Sequence, residues 1–209
     1  MPSTLYYIHD PMCSWCWGHR VLWDKLQKLL PDNVVIEYVA GGLAADTNTL
    51  MPIELQQTIQ GYWREIQAKF GIAFNFDFWK KNSPRRSTYI ACRAVIAAKS
   101  QGFESEMIDA IQQAYYLRAL NPSDSAILVR LAEELSSRGL DLDVDQFGRE
   151  MESPATHQML QQQISLAREL THQGFPSIVL EHNGVRHSIV REYQDCNLVL
   201  AEIQRVLSI

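Results

Sequence analysis

The stretch Leu5-Tyr6-Tyr7-Ile8-His9-Asp10-Pro11-Met12-Cys13-Ser14-Trp15-Cys16-Trp17-Gly18 decides the fold. Leu5 to Ile8 is a short β-type run that ends at Asp10-Pro11, because proline has no N–H for a sheet ladder and keeps the residue before it out of the helical region. From Cys13 to Leu30, Trp17, Val21, Leu22, Leu26, Leu29 and Leu30 recur at helical spacing, and Pro31-Asp32-Asn33 closes the segment. Val34 to Val39 is β-rich and ends at Gly41-Gly42. The order is strand, helix, strand, and such a crossover makes the two strands parallel neighbours.

Within that unit, Cys13-Ser14-Trp15-Cys16 follows the first strand and opens the first helix, the context in which C-x-x-C reads as a redox pair. Residues three apart on a helix share a face with β-carbons roughly 5–6 Å apart, within reach of disulfide geometry after small adjustments. At the helix start, unpaired backbone N–H groups and the positive dipole end favour a thiolate at Cys13. Cys16, one turn inward, is expected to be less exposed and to act second, resolving the mixed disulfide. Nucleophiles of this chemistry span pKa values from about 3.5 to about 7. Asp10 near the sulfur would raise that of Cys13 and a protonated His9 would lower it. Ser14 offers a hydroxyl, and Trp15 an indole to shield or contact substrate.

Outward from this unit, residues 49–172 are helical almost throughout, in five or six segments punctuated by Gly71, Pro84, Gly102, Asn121-Pro122, Gly139 and Ser153-Pro154. Ser123-Asp124-Ser125 and Asp143 are placed to cap two of them. Ser177 to Leu180 then resumes strand character, Asn183-Gly184 signals a two-residue hairpin, and Leu198 to Leu207 is a last helix. Glu181 would face Arg186 across that hairpin. The expected organisation is an α/β domain over 1–43 and 173–209, interrupted by a helical lid domain over 44–172. Phe175-Pro176 starts the late strand, where proline is either a strand boundary or a cis bond costing only about 0.5–1 kcal/mol.

Composition narrows the function. The chain has 209 residues, 46% hydrophobic and 21% charged, which is ordinary for a globular protein and excludes intrinsic disorder as the main state. Its net charge of -5 would repel a phosphate backbone, and Lys80, Lys81, Arg85 and Arg86 are too small a basic cluster to bind nucleic acid. Uninterrupted apolar runs of spanning length are absent, as is a signal-peptide pattern after Met1, so neither a membrane span nor export is expected and the cytoplasm is the expected location. Four cysteines are too few for a disulfide framework.

The segment from His9 to Gly18, with the helical insertion and the Phe175-Pro176 strand start, resembles the DsbA-like, FrnE-related branch of the thioredoxin superfamily, in the group of predicted protein-disulfide isomerases. The resemblance implies a thioredoxin-like βαβ…ββα sheet with a large all-helical insertion. It implies Cys13 as nucleophile, Cys16 as resolving cysteine, and a cis-Pro176 loop that holds extended substrate, with Phe175 on the substrate side. Thiol or disulfide proteins are the implied partners, with glutathione a candidate redox partner and no bound cofactor or metal. Two departures stand out. Many relatives carry a buried carboxylate six residues before the nucleophile to relay protons, where this chain has Tyr7. Periplasmic members carry a secretion signal; without one, in a cytosol poised near about -220 to -320 mV, net reduction or isomerisation is the expected direction.

Other readings compete. The resemblance also touches kappa-class glutathione transferases and hydroxychromene carboxylate isomerases, which act beside a single Ser or Cys; a non-enzymatic peptide-binding holdase is a further alternative. His182 and His187 have a zinc-like gap but flank a hairpin turn far from the cysteines. Asp141, Asp143, Asp145 and Glu152 mimic a calcium loop without its glycine, so capping by Asp143 is the better account. Cys92 and Cys196 read as structural. The aromatic run from Phe70 to Trp79 reads as core packing, with a substrate surface as its alternative.

Overall fold

A computed structural model describes residues 3–209 and divides the chain into two compact units, Met1–Gly41 with Gln163–Ile209, and Gly42–Gln162. The first unit holds β1 (Ser3–His9), α1 (Ser14–Gln27), β2 (Val34–Ala40), β3 (Ser177–His182), β4 (Val185–Ile189) and α9 (Cys196–Leu207). Its four strands lie in the order β2-β1-β3-β4. The β1–β2 pair is parallel, with Leu5 opposite Ile36, while β3 runs antiparallel to both β1 and β4. This is the expected mixed sheet, and β1 is central because its residues are apolar on both faces.

Strand alternation divides β1 between two cores. Leu5 and Tyr7 point to one face, packing with Leu22, Trp23 and Leu26 of α1 and with Val199, Ile203 and Val206 of α9. Ile8 points to the other face, with Val39, Val179 and Ala167. Ala167 belongs to α8 (Pro154–Leu170), which starts in the second unit and whose last turns, from Gln163, belong to the first. Gln163 Oε1 accepts the Ala40 N–H at 2.8 Å.

The hairpin forms as its turn dictates. Asn183 and Gly184 both have positive φ, 51° and 77°, as a type I′ turn requires, and Glu181 pairs with Arg186 at 2.9 Å.

Before α8, the second unit contains α2 (Ile53–Phe70), the one-turn α3 (Phe78–Lys81), α4 (Tyr89–Lys99), α5 (Glu104–Tyr116), α6 (Ser125–Ser137) and α7 (Val144–Met151). Seven helices thus cover the stretch expected to hold five or six, because Phe78–Lys81 folds as a turn of its own. Ile90 to Ala98 of α4 are all buried, so this alanine-rich helix is the unit's axis. The aromatic run is core: Trp63 is fully buried, with Phe74, Phe76, Phe78, Trp79, Tyr115 and Tyr116 centred 5.0–6.0 Å from its ring.

Asp143 caps α7 by accepting the Gln146 N–H at 2.8 Å. Asp124 stands at the start of α6 without capping it, because its carboxylate is drawn to Arg85 and to Asn121. Among the described residues no helix is long and apolar enough to cross a membrane.

Removing the fully buried Leu5 side chain as Leu5→Ala should cost about 2–5 kcal/mol, and removing the α7 cap as Asp143→Ala about 0.5–2 kcal/mol. Equilibrium urea unfolding checks the order; a costlier Asp143→Ala would contradict this placement of the core.

Candidate active site

The approach to α1 is set by three residues. Asp10 and Cys13 close a turn through Cys13 N–H to Asp10 C=O at 3.0 Å, while the Asp10 carboxylate accepts the Met12 N–H at 2.8 Å. Pro11 between them supplies a fixed φ. Cys13 therefore lands at the cap position of α1 with extended backbone (φ -82°, ψ 119°), its side chain over the first helical turn.

The two sulfurs are both thiols and differ in environment. Cys13 is 6% exposed and Cys16 1%. A hydrogen bond from the Cys16 thiol lowers the pKa of Cys13 below the ordinary thiol value, aided by the N–H groups of Cys16 and Trp15 and opposed by burial and by Asp10. Burial, then Cys13 itself, pushes Cys16 well above that value. The anion thus belongs on the outer sulfur. Asp10 acts in the direction its position suggests, whereas His9 is buried and packs on Tyr7 and Tyr38, with ring centres 5.7 and 5.5 Å away.

The loop before β3 faces this sulfur. Cys13 Sγ lies 3.7 Å from the Phe175 carbonyl oxygen, and the Phe175–Pro176 peptide bond is cis. The Phe175 ring covers Gly41 at the end of β2, where a Cβ would sit 2.0 Å from the ring's Cζ, so that position takes only glycine without displacing Phe175. Cys13, Cys16 and Phe175 are thus brought together, and Pro176 is buried behind them. Trp15 is half-buried and meets Tyr193 edge-on at 5.8 Å.

Several residues here escape a reading of the motif alone. Tyr193 lies in the turn 190–195, where the Glu192 carboxylate accepts its N–H at 2.8 Å and Arg191 donates to the Gln173 carbonyl at 2.6 Å. Burial pushes the Tyr193 phenol up to about 12, with Arg191 opposing. Tyr7 and His19 are both buried, and Tyr7 Oη meets His19 Nδ1 at 3.1 Å. The signal for His19 is its place one helical turn after Cys16; Tyr193 carries no local signal.

The remaining candidates lie elsewhere. His182 bonds Ser3 Oγ at 2.7 Å at the far end of β3, and His187 sits on β4 opposite Leu180. Cys92 is fully buried in α4, and burial raises the pKa of Cys196 at the start of α9.

A redox-type pair at the head of the helix after β1, in a β2-β1-β3-β4 sheet, accords with the family comparison, in which the thioredoxin family matches residues 6–197. The chain belongs to the thioredoxin family. Among solved structures, this thioredoxin-family chain is similar to a candidate protein disulfide isomerase from Nitrosomonas europaea, with 25% identity and a TM-score of 0.85 over 100% of this chain and 98% of that one. It shares its fold with the cytosolic disulfide reductase DsbM from Pseudomonas aeruginosa, at 22% identity and TM-score 0.78 over 98% of each chain. DsbA from Xylella fastidiosa is similar in fold at 13% identity and TM-score 0.63, over 99% of this chain and 85% of that one. None of the curated proteins matches significantly. The DsbA-like arrangement of a thioredoxin-like sheet with a helical insertion supports thiol–disulfide exchange as the general chemistry of this chain.

Cys16→Ala removes the donor that acts most strongly on Cys13, so the midpoint of Cys13 alkylation against pH should move upward. Iodoacetamide rates from pH 5 to 10 measure it, and an unmoved or lowered midpoint would contradict the assignment.

Proposed function

We propose that the chain is a thiol–disulfide oxidoreductase in which Cys13 attacks and Cys16 resolves. The observation that carries this reading is a cysteine pair at the head of α1, with Cys13 at the cap position and its sulfur 3.7 Å from the Phe175 carbonyl oxygen, and Cys16 buried one turn inward. The Cys13 thiolate attacks one sulfur of a substrate disulfide, the substrate S–S bond breaks, and one substrate thiolate leaves. Cys16, losing its proton, attacks Cys13; the mixed disulfide breaks, and the second substrate thiolate leaves as the Cys13–Cys16 disulfide forms. Two electrons pass from protein to substrate. Run backwards it is oxidation, and release before resolution, with return of a different substrate sulfur, is isomerisation.

Trp15 and Phe175 are the proposed substrate contacts, with Pro176 fixing the loop that presents Phe175. Both contacts are half-buried beside Cys13, as a surface that grips an extended chain requires. The proposed setting is the cytoplasm, where the glutathione poise favours reduction or isomerisation. Glutathione is the proposed small-molecule redox partner: a fold relative, DsbM, is described as a cytosolic disulfide reductase and has been solved with glutathione. A second cysteine three residues after the first at the head of α1 favours dithiol exchange over the single-thiol chemistry of the glutathione transferases and isomerases.

Incubated with a disulfide-containing protein, the Cys16→Ser variant should accumulate a mixed disulfide at Cys13, visible on a non-reducing gel and reversed by dithiothreitol. Cys13→Ser should form none. Absence of the adduct in Cys16→Ser, or its persistence in Cys13→Ser, would overturn the proposal.

A further inference from the structure

The two proposed aromatic contacts for substrate stand on separate pieces of chain. Trp15 is in the first turn of α1, and Phe175 is in the loop before β3. A peptide lying across Cys13 meets both, so the spacing between them has to be set before it arrives. Neither element sets that spacing alone. α1 fixes the backbone of Trp15 but leaves its indole free to choose among rotamers, and Gly174, at φ 77°, puts a residue without a side chain directly before Phe175.

The turn 190–195 reaches both, and its own shape is held by three carboxylates. Glu202 of α9 accepts the Val190 N–H at 2.6 Å, just past the end of β4. Glu192 Oε1 accepts the N–H groups of Tyr193 and Gln194 at 2.8 and 2.9 Å, and these bonds, that of Gln194 first, hold the Glu192 carboxyl below the usual carboxylate range. Asp195 accepts the Asn197 N–H at 2.9 Å and so caps α9. One carboxylate thus ends the strand, one folds the turn and one starts the helix. Two side chains project from this frame. Arg191 donates to the Gln173 carbonyl at 2.6 Å, two residues before Phe175. The Tyr193 ring meets the Trp15 indole edge-on with centres 5.8 Å apart, and meets the ring of the buried His19 edge-on at 5.4 Å.

We propose that Arg191 and Tyr193 are positioning residues: the turn 190–195 braces Trp15 and the Phe175 loop at a set spacing around Cys13, and that spacing favours disulfides carried on peptide chains. The inference rests on the dithiol exchange proposed above and leaves its chemical steps unchanged. Arg191 acts through the Gln173 carbonyl, and Tyr193 acts through Trp15 with His19 as its fixed partner. A peptide disulfide has chain on both sides of the sulfur to lay against the two walls. A small disulfide engages Cys13 and has nothing to lay there. Holding a side chain in its bound position beforehand spares binding the ordering cost, which for each such side chain corresponds to about two- to tenfold in affinity.

The test compares two disulfides in wild type, Arg191→Ala, Tyr193→Ala and Tyr193→Phe: a disulfide-bonded peptide with several residues on each side of its cysteines, and hydroxyethyl disulfide. Reduced protein is mixed with an excess of each, quenched in acid, and its free thiols are counted over time. Each alanine variant should raise the half-saturating peptide concentration about two- to tenfold, with the limiting rate within about twofold of wild type. The rate with hydroxyethyl disulfide should also stay within about twofold, because the lost interaction belongs to binding of the peptide and not to exchange at the sulfur. Tyr193→Phe keeps the ring and should bind peptide as wild type does, and the pH midpoint of Cys13 alkylation should stay in place in every variant. An unchanged half-saturating concentration in either alanine variant, equal losses toward both disulfides, a moved Cys13 midpoint, or a Tyr193→Phe loss as large as that of Tyr193→Ala would overturn the brace. A wild type oxidised by neither disulfide would instead overturn the dithiol reading. Should Tyr193→Ala not fold, Arg191→Ala decides by the same criteria.

Discussion

Cys13 stands at the head of α1 with Cys16 buried one turn inward, so each sulfur acts on the ionisation of the other. This constraint makes two chemically identical side chains unequal. The outer sulfur gains a donor and the N–H groups at the start of α1, and is favoured as an anion; the inner one is buried beside that anion and keeps its proton. Dithiol exchange needs such an asymmetry, because the attacking group has to be ionised before substrate arrives and the resolving group only afterwards.

The rest of the first unit holds that pair in place. β1 aims Asp10-Pro11 so that the chain turns at a fixed point and Cys13 meets the head of the helix. Tyr7 shares the helix-facing side of β1 with Leu5, so a phenol lies within that hydrophobic layer and bonds His19 of α1. The loop before β3 brings the Phe175 carbonyl oxygen to 3.7 Å from the Cys13 sulfur, and the Phe175 ring is seated because Gly41 has no Cβ. The turn 190–195 closes the edge through Arg191 and Tyr193.

Much of this is legible in the chain. Proline at 11, the helical period after Cys13 and the β-rich run at 34–39 act locally, so strand, helix and strand appear where expected; Asn183-Gly184 and the Glu181–Arg186 pair fix the hairpin for the same reason. The pairing of Cys13 with the Phe175 loop comes from family resemblance and not from periodicity, since 162 residues separate the two. Asp124 fails as a cap because Arg85, 39 residues away, competes for its carboxylate. Tyr193 is invisible in the sequence because its role depends on a turn built by Glu192, which follows no period. Tyr7 and His19 are paired by a tertiary contact that the period of neither element announces.

Sub-stoichiometric iodoacetamide at pH 7, followed by peptide mass analysis of the reduced protein, measures the inequality of the two sulfurs most directly. Cys13 is predicted to take nearly all of the label, while Cys16 and Cys92 stay unmodified. Label led by Cys16, or divided equally between Cys13 and Cys16, would contradict that inequality.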